Sequence, residues 1–249
     1  SMSQPAAKLA APEPFRCSQT KDAAMNTTLD LFADTQPAVH EAPGADRTAF
    51  ELGWDYAHYR LTPPPEALLA AHPVRQGWQA GGAVFGNRTL KPTQPVRKWL
   101  QLRFSAWRRG RVFEGTQVTP NFLAQIDVPR CPITHSALTH ASGAGSDASV
   151  DRVCNAAGYA AGNLAVMSAR ANEAKADLSC RDALTVVKQL EASGLDTLDG
   201  LNALQWSRLA VLMSFATLMK HDEAACLPLL VLPPNRLRLL NPVQALQAV

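Results

Sequence analysis

The sequence predicts an α+β protein that is largely helical, with a small strand–loop–strand–helix unit embedded in it and a disordered N-terminal tail. Three observations support this fold class. Residues 1–48 lack apolar periodicity and are rich in Ala, Pro, Thr, Gln and Asp. Apolar side chains then recur at helical spacing in several later segments. Between them, Ser149–Lys175 has the residue order of two short strands and a helix.

The tail, residues 1–48, contains one apolar island, Thr28–Phe32, with the sequence TLDLF. It is similar to the peptides by which bacterial DNA-processing proteins bind the sliding clamp, although threonine replaces the leading glutamine. Such peptides insert alternate apolar side chains into pockets. We therefore consider a clamp contact, with local packing on the folded domain as the alternative.

Residues 49–129 are predicted to form a helical, basic region. The aromatic-rich segment after Phe50 indicates a short helix or strand, and the prolines that follow favour a helix at 66–71. Glycines between Gly77 and Gly86 indicate a loop. A helix is expected over 95–109, and a short strand or helix near 121–125.

No acidic residue occurs from Ala67 to Phe113, whereas nine basic residues do. Lys and Arg contacts to phosphate supply most non-specific affinity for nucleic acid, so this block favours a polyanionic partner such as DNA. A helix with an apolar core face and a solvated charged face is the alternative. The predicted DNA contacts are Arg97, Lys98, Arg103, Arg108, Arg109 and Arg111.

Residues 130–178 carry the most specific pattern in the chain. It comprises Cys131-Pro132, Ser149–Val153, Asn155, Gly158-Tyr159, Gly162–Leu164, and Asn172 with Lys175. In this order the pattern resembles the HNH/endonuclease VII-like nucleases of phages and mobile elements. The resemblance covers about 45 residues and implies a ββα unit that holds one divalent metal.

The resemblance assigns a role to each matched position. Asp151 and Asn172 would bind Mg²⁺ through oxygen atoms, the ligands that this ion prefers. Lys175 would contact nucleic acid. Asn163 would brace the loop by hydrogen bonds to the backbone, and three further residues would have structural roles: Asn155, Gly158 and Tyr159.

The chain departs from the nuclease pattern at Arg152, where active members have the histidine that acts as general base. Arginine cannot take a proton near neutral pH, although it can clamp a phosphate or stabilise charge in phosphoryl transfer. Catalysis would then need another base, such as His135 if its loop folds over the metal, or the metal-bound water itself. The alternative for His135 is a surface or capping role.

Zinc is not expected. Cys131 and His135 have the spacing of half a zinc site, but alanine and arginine occupy 169–171, where zinc-stabilised relatives have their second cysteine pair. Cys131 is therefore expected to be a small buried residue.

Residues 179–249 are predicted to be helices that pack on the same core as the ββα unit. Ser179 and Asp182 form the pattern of a capping box, and Gly194 ends the helix that they begin. The next helix is expected to begin at Thr197 or Asp199 and to run to about His221. The proline-broken remainder favours irregular chain and short helices.

These observations favour a nucleic-acid-associated HNH-like protein, with two main hypotheses: a Mg²⁺-dependent DNA endonuclease, or a non-catalytic accessory protein of a plasmid, phage or other mobile element. The accessory protein would act by binding DNA or protein, for instance by interfering with a competitor's DNA transfer or replication. A third hypothesis is a purely protein-binding module. Five cysteines without a C-x-x-C pair, and the lack of a long apolar run, predict a cytoplasmic protein without membrane insertion.

Overall fold

The computed structural model describes residues 44–241. The Thr28–Phe32 island and most of the predicted tail lie outside the described residues. The end of that tail prediction is wrong, because helix α1 spans Ala45–His58. Its first turn is held by the Thr48 amide, which donates to the Gly44 carbonyl oxygen. Within 44–241, no helix is long and apolar enough to cross a membrane.

Helix α1 packs against helix α2, which spans Pro73–Phe85, and a 3₁₀ turn at Pro65–Leu68 lies between them. The loop predicted at Gly77–Gly86 is therefore wrong. Gly77 has no Cβ, and a Cβ there would overlap the Phe50 carbonyl oxygen of α1. Glycine here permits close helix contact, which stabilises the helix pair despite the glycine's low helix propensity.

Helix α3, Gln94–Arg108, lies between two hydrophobic cores. Val96, Leu100 and Phe104 pack in the core formed with α1 and α2, whereas Leu102 and Ala106 belong to the next core along the chain. The predicted bounds are confirmed to within a residue. Because apolar stripes cover two sides, α3 has less solvated surface than a helix with one apolar face.

Helix α4, Pro120–Ile126, precedes the one two-stranded antiparallel sheet among the described residues. Strand β1 spans Ala148–Arg152, and β2 spans Leu164–Ser168. Helix α5 follows β2 directly as Ala169–Lys175. Every residue of β2 is buried, because α3 and α4 cover one side of the sheet and the C-terminal helices the other.

The C-terminal helices are α6 (Cys180–Ser193), α7 (Ala203–Phe215) and α8 (His221–Ala225). The capping box at Ser179 and the end at Gly194 are confirmed. The predicted bounds of α7 are wrong, since Asn202 caps it through a second capping box. One core contains residues from both 131–174 and 180–231.

Candidate functional site

Asp151 and Arg152 lie on opposite faces of the sheet. Successive side chains of a strand alternate in direction. Asp151 is paired with Ala165, which belongs to the core shared with the C-terminal helices, and Arg152 with Leu164, which packs with α3 and α4. A single site using both side chains, as the nuclease resemblance implied, is therefore not assembled.

Lys175 is the residue that approaches Asp151. Its side chain is fully buried, and its Nζ lies 3.1 Å from the Asp151 Oδ2. It also donates hydrogen bonds of 2.9 Å to the Arg152 carbonyl oxygen and to the Asn155 Oδ1. Two oxygen atoms thus accept hydrogen bonds from the ammonium, and the Asp151 carboxylate is its ion-pair partner. The prediction that Lys175 contacts nucleic acid is wrong, since no part of it reaches the surface.

Burial raises the pKa of Asp151 above its ordinary value, and the charge of Lys175 opposes this shift. The Oδ2 accepts no hydrogen bond of good geometry, so the ion pair with Lys175 is its main electrostatic compensation. A buried carboxylate of this kind depends on its cation, because an unpaired charge in the interior is costly.

The predicted Mg²⁺ ligands, Asp151 and Asn172, are engaged with protein groups in this structure. Asp151 is paired with the ammonium, and the Asn172 Nδ2 donates to the Ser149 Oγ at 2.8 Å. Across residues 44–241, no three His, Cys, Asp or Glu side chains converge in a way that could hold an ion. Helix α5 brings Asn172 and Lys175 to the Asp151 face, but it presents a cation there instead of an open oxygen cage.

Arg152 is also buried, with 8% of its surface exposed. Its Nη1 donates to the carbonyl oxygens of Asn155 and Ala157, at 2.9 and 3.2 Å. The guanidinium carbon lies 5.2 Å from the centre of the Tyr159 ring, within the range of a cation–π contact. The predicted catalytic role for Arg152, a phosphate clamp, is wrong for this structure, because the guanidinium holds the β1–β2 loop.

Asn163 braces the same loop from its other end. Its Oδ1 accepts from the Cys154 amide at 2.9 Å, and its Nδ2 donates to the carbonyl oxygens of Cys154 and Gly158, both at 3.0 Å. These are the side-chain hydrogen bonds to the backbone that the sequence predicts. A Cβ on Gly158 would lie 2.7 Å from the Val112 carbonyl oxygen, so the loop depends on glycine there.

Two further pattern residues complete the loop. Asn155 donates through Nδ2 to the Ala176 and Leu178 carbonyl oxygens, which ties the loop to the end of α5. Tyr159 is buried and stacks on Phe113, with ring centres 6.1 Å apart. Four residues of the pattern thus stabilise the β1–β2 loop: Arg152, Asn155, Tyr159 and Asn163.

His135 is exposed, with a φ of 59°. Its amide donates to the Cys131 carbonyl oxygen, which closes a tight turn. Its imidazole makes no hydrogen bond to any residue in 44–241. This placement agrees with the surface alternative for His135, and its role as a general base stays a prediction.

Cys131 is buried, as expected, but it does more than fill space. Its Sγ accepts hydrogen bonds from the amides of Thr134 and Ser168, at 3.4 and 3.3 Å. Burial opposes the thiolate, but hydrogen bonds from Ser168 and Thr134 outweigh it and lower the pKa of Cys131 below its ordinary value. The four cysteines among the described residues are all free.

The predicted DNA contacts divide into exposed and occupied side chains. Arg103 pairs with Asp55, and its guanidinium lies 4.4 Å from the centre of the Trp99 ring. Lys98 is half-buried and donates to the Ala148 carbonyl oxygen, and burial lowers its pKa. Both side chains are engaged by groups of the protein itself, so their contact with phosphate stays a prediction. The predicted contacts that remain exposed are Arg97, Arg108, Arg109 and Arg111.

The segment from Ala67 to Phe113 has no acidic residue of its own, but carboxylates from earlier in the sequence lie beside it in the fold. Asp55 and Glu66 precede it in sequence, yet Asp55 pairs with Arg103, and Glu66 lies 3.4 Å from Arg108. Arg109 and Arg111 make no ion pair with any described residue.

No protein-family model, curated protein or solved structure matches this chain.

Proposed function

We propose that this chain is a non-catalytic, HNH-like protein that associates with nucleic acid. The supporting observation is the position of Lys175, whose ammonium is bound by Asp151, Asn155 and the backbone of Arg152. The order strand, loop, strand and helix agrees with the resemblance. In this proposal a side-chain ammonium carries the positive charge that a nuclease would obtain from its metal.

A metal ion at Asp151 would meet strong repulsion from this ammonium. At an effective dielectric of 20, a unit charge and a divalent ion 4 Å apart repel by about 8 kcal/mol. Lys175 would have to lose its proton or leave the interior to relieve this repulsion. Either change also breaks its hydrogen bonds to Asn155 and to the Arg152 backbone.

Among residues 44–241, the arrangement also offers no general base beside Asp151. Arg152 cannot accept a proton at neutral pH and faces away from Asp151. Among residues 44–241, His135 lies on an exposed turn without a hydrogen bond to its imidazole. Within the described part of the chain, water activation at Asp151 therefore lacks a partner side chain suited to proton abstraction.

Nucleic-acid association is supported by the basic end of α3. Arg108, Arg109 and Arg111 are exposed there, and Arg108 alone has a nearby carboxylate. The segment joins the braced loop, because the Tyr159 amide donates to the Val112 carbonyl oxygen at 2.8 Å. The loop network thus holds this arginine cluster in place, and phosphate contacts require such exposed charges.

The catalytic part of the proposal is tested with supercoiled plasmid DNA in Mg²⁺ and in Mn²⁺. We expect no nicking by the wild type, and no saturable Mn²⁺ binding by electron paramagnetic resonance. Nicking that disappears in Asp151→Asn would overturn the proposal in favour of the metal-dependent endonuclease.

The binding part is tested by the salt dependence of affinity for duplex DNA. Each phosphate contact contributes about −0.9 to the slope of log K against log salt, so we expect the double variant Arg109→Gln/Arg111→Gln to reduce the slope by about two. Lys188→Gln is the control, because Lys188 is exposed on α6. If the slope of log K against log salt is unchanged in the double variant, Arg109 and Arg111 do not contact DNA phosphates.

The resemblance also supports a setting. Relatives with this pattern belong to phages and mobile elements, so the proposed role is that of an accessory protein acting by DNA or protein binding. If the wild type binds no DNA at low salt, the purely protein-binding role replaces the DNA-associated one.

A further inference from the structure

An open cleft of about 430 Å³ lies away from the Asp151–Lys175 pair, between α4, the end of the β1–β2 loop and the C-terminal segment. Its lining includes Gln117, Asn121 and Gln125 on one side, with Gly162 and Arg236 on the other. This volume falls within the range of small-molecule sites, about 300–1,000 Å³. Apart from Gly162, which lies at the end of the β1–β2 loop, none of these residues belongs to the site described above.

The three amide side chains follow one another at intervals of four residues. Asn121 and Gln125 therefore share one face of α4. Within the described part of the chain, the side-chain amides of Gln117, Asn121 and Gln125 make no hydrogen bond. Each can donate and accept at once, so the row is suited to a ligand with alternating donors and acceptors.

Arg236 is held over this cleft by a pinned turn. The Asn235 Nδ2 donates to the Gln125 carbonyl oxygen at 2.7 Å, and the Arg238 amide donates to the Gly162 carbonyl oxygen at 2.8 Å. Between these two anchors Arg236 has a φ of 63°, which is unfavourable for a residue with a Cβ. Its guanidinium makes no hydrogen bond or ion pair to any residue in 44–241.

We propose that this cleft binds a nucleotide. Arg236 would bind the phosphate, since a guanidinium can make two parallel hydrogen bonds to phosphate oxygens. Asn121 and Gln125 would bind the base edge, because carboxamides match the adjacent acceptor and donor of adenine. Phe122 also lines the cleft, and the 9% of its surface that is exposed offers an apolar contact to the base. The proposal is independent of the arginine cluster on α3, with which it shares no residue.

The probe is deoxyadenosine 5′-monophosphate, titrated into the full chain by isothermal titration calorimetry at low salt. Deoxyadenosine and inorganic phosphate are titrated in parallel, because each retains part of the expected contacts. We expect saturable binding of the nucleotide at millimolar or lower concentration. Each fragment should bind at least about tenfold more weakly, since it lacks a charge-assisted hydrogen bond or the base contacts.

Two variants separate the two halves of the cleft. Arg236→Gln should weaken nucleotide binding by about tenfold and leave deoxyadenosine unchanged. Asn121→Ala/Gln125→Ala should weaken the nucleotide and deoxyadenosine but not phosphate. All three side chains are exposed, so the fold should be retained. Lys188→Gln serves as the matched surface control.

Either of two results would overturn the proposal: no saturable binding of the nucleotide by the wild type, or an Arg236→Gln variant that binds like the control. The variant Arg109→Gln/Arg111→Gln should bind the nucleotide as the wild type does. This separates the cleft from the proposed DNA surface, because each can fail while the other holds.

Discussion

Lys175→Met removes the buried ammonium and keeps a side chain of similar length. The substitution leaves the Asp151 carboxylate in the interior without its cation, and the Asn155 Oδ1 and Arg152 carbonyl oxygen without their donor. Removing one partner of a buried ion pair costs about 3–5 kcal/mol. Methionine opens no large cavity, so we expect the lower end, about 3 kcal/mol at pH 7.

Chemical denaturation measures this loss directly, and thermal unfolding should show a decrease in Tm of about 6–12 °C for a domain of this size. Lys188→Met is the control, because that lysine is exposed and its replacement should change stability by less than about 0.5 kcal/mol. The double variant Asp151→Asn/Lys175→Met should cost less than the two single changes together, by more than about 1 kcal/mol.

The pH dependence of this loss has a defined sign. Burial already raises the pKa of Asp151, and removing Lys175 removes the charge that opposes the shift. Above about pH 4, the ordinary carboxyl value, the unfolded chain loses this proton while the folded variant retains it. The wild type shares this loss up to its own folded Asp151 pKa, which already lies above the ordinary value. The difference in stability between wild type and variant should therefore grow as pH rises above that raised pKa. A loss below about 1 kcal/mol at pH 7, or one independent of pH, would refute the interpretation of Lys175 as a buried counter-ion.

Three further predictions concern the scaffold. Gly77→Ala should destabilise the protein by at least about 2 kcal/mol in urea unfolding, because the new Cβ overlaps the α1 backbone. Gly82→Ala is the control: its Cβ would meet no atom, so this variant should be more stable by about 0.5–1 kcal/mol. Asn163→Ala should cost about 2 kcal/mol and speed hydrogen exchange in the β1–β2 loop, since three hydrogen bonds are lost; unchanged exchange would contradict this. The pKa of Asp147 is held well below its usual range by hydrogen bonds from Ser142 and Thr139, so its stabilising effect is present above about pH 4 and lost as pH falls further; the Tm difference between wild type and Asp147→Asn should shrink in acid.

Local signals in the sequence predicted much of the secondary structure. The Ser179 capping box and Gly194 satisfy backbone groups within one turn of themselves, so the bounds of α6 follow from neighbouring residues. Helix α3 is a similar case, since apolar spacing over a few residues carried the prediction. Strand β1 was predicted from the order of residue types in the pattern that ends at Lys175.

Predictions failed where a residue's effect depends on a distant neighbour. Gly77 indicates a loop in isolation, but in the fold it permits contact with the α1 backbone. Asp55 lies 48 residues before Arg103, yet it neutralises that arginine. The sequence contained a four-residue amide spacing at Gln117, Asn121 and Gln125, but nothing in it placed Arg236 opposite.

The sequence alone indicated two strands and a helix within 149–175, and it singled out the polar residues Asp151, Arg152, Asn163, Asn172 and Lys175. The tertiary structure decided what these side chains do. Alternation along β1 directs Asp151 and Arg152 to opposite faces, and packing on both sides of the sheet excludes water from them. A charge without water must find its counter-charge within the fold. Polar residues of the pattern therefore bind protein groups: Asp151 pairs with Lys175, and Arg152, Asn155 and Asn163 stabilise the β1–β2 loop.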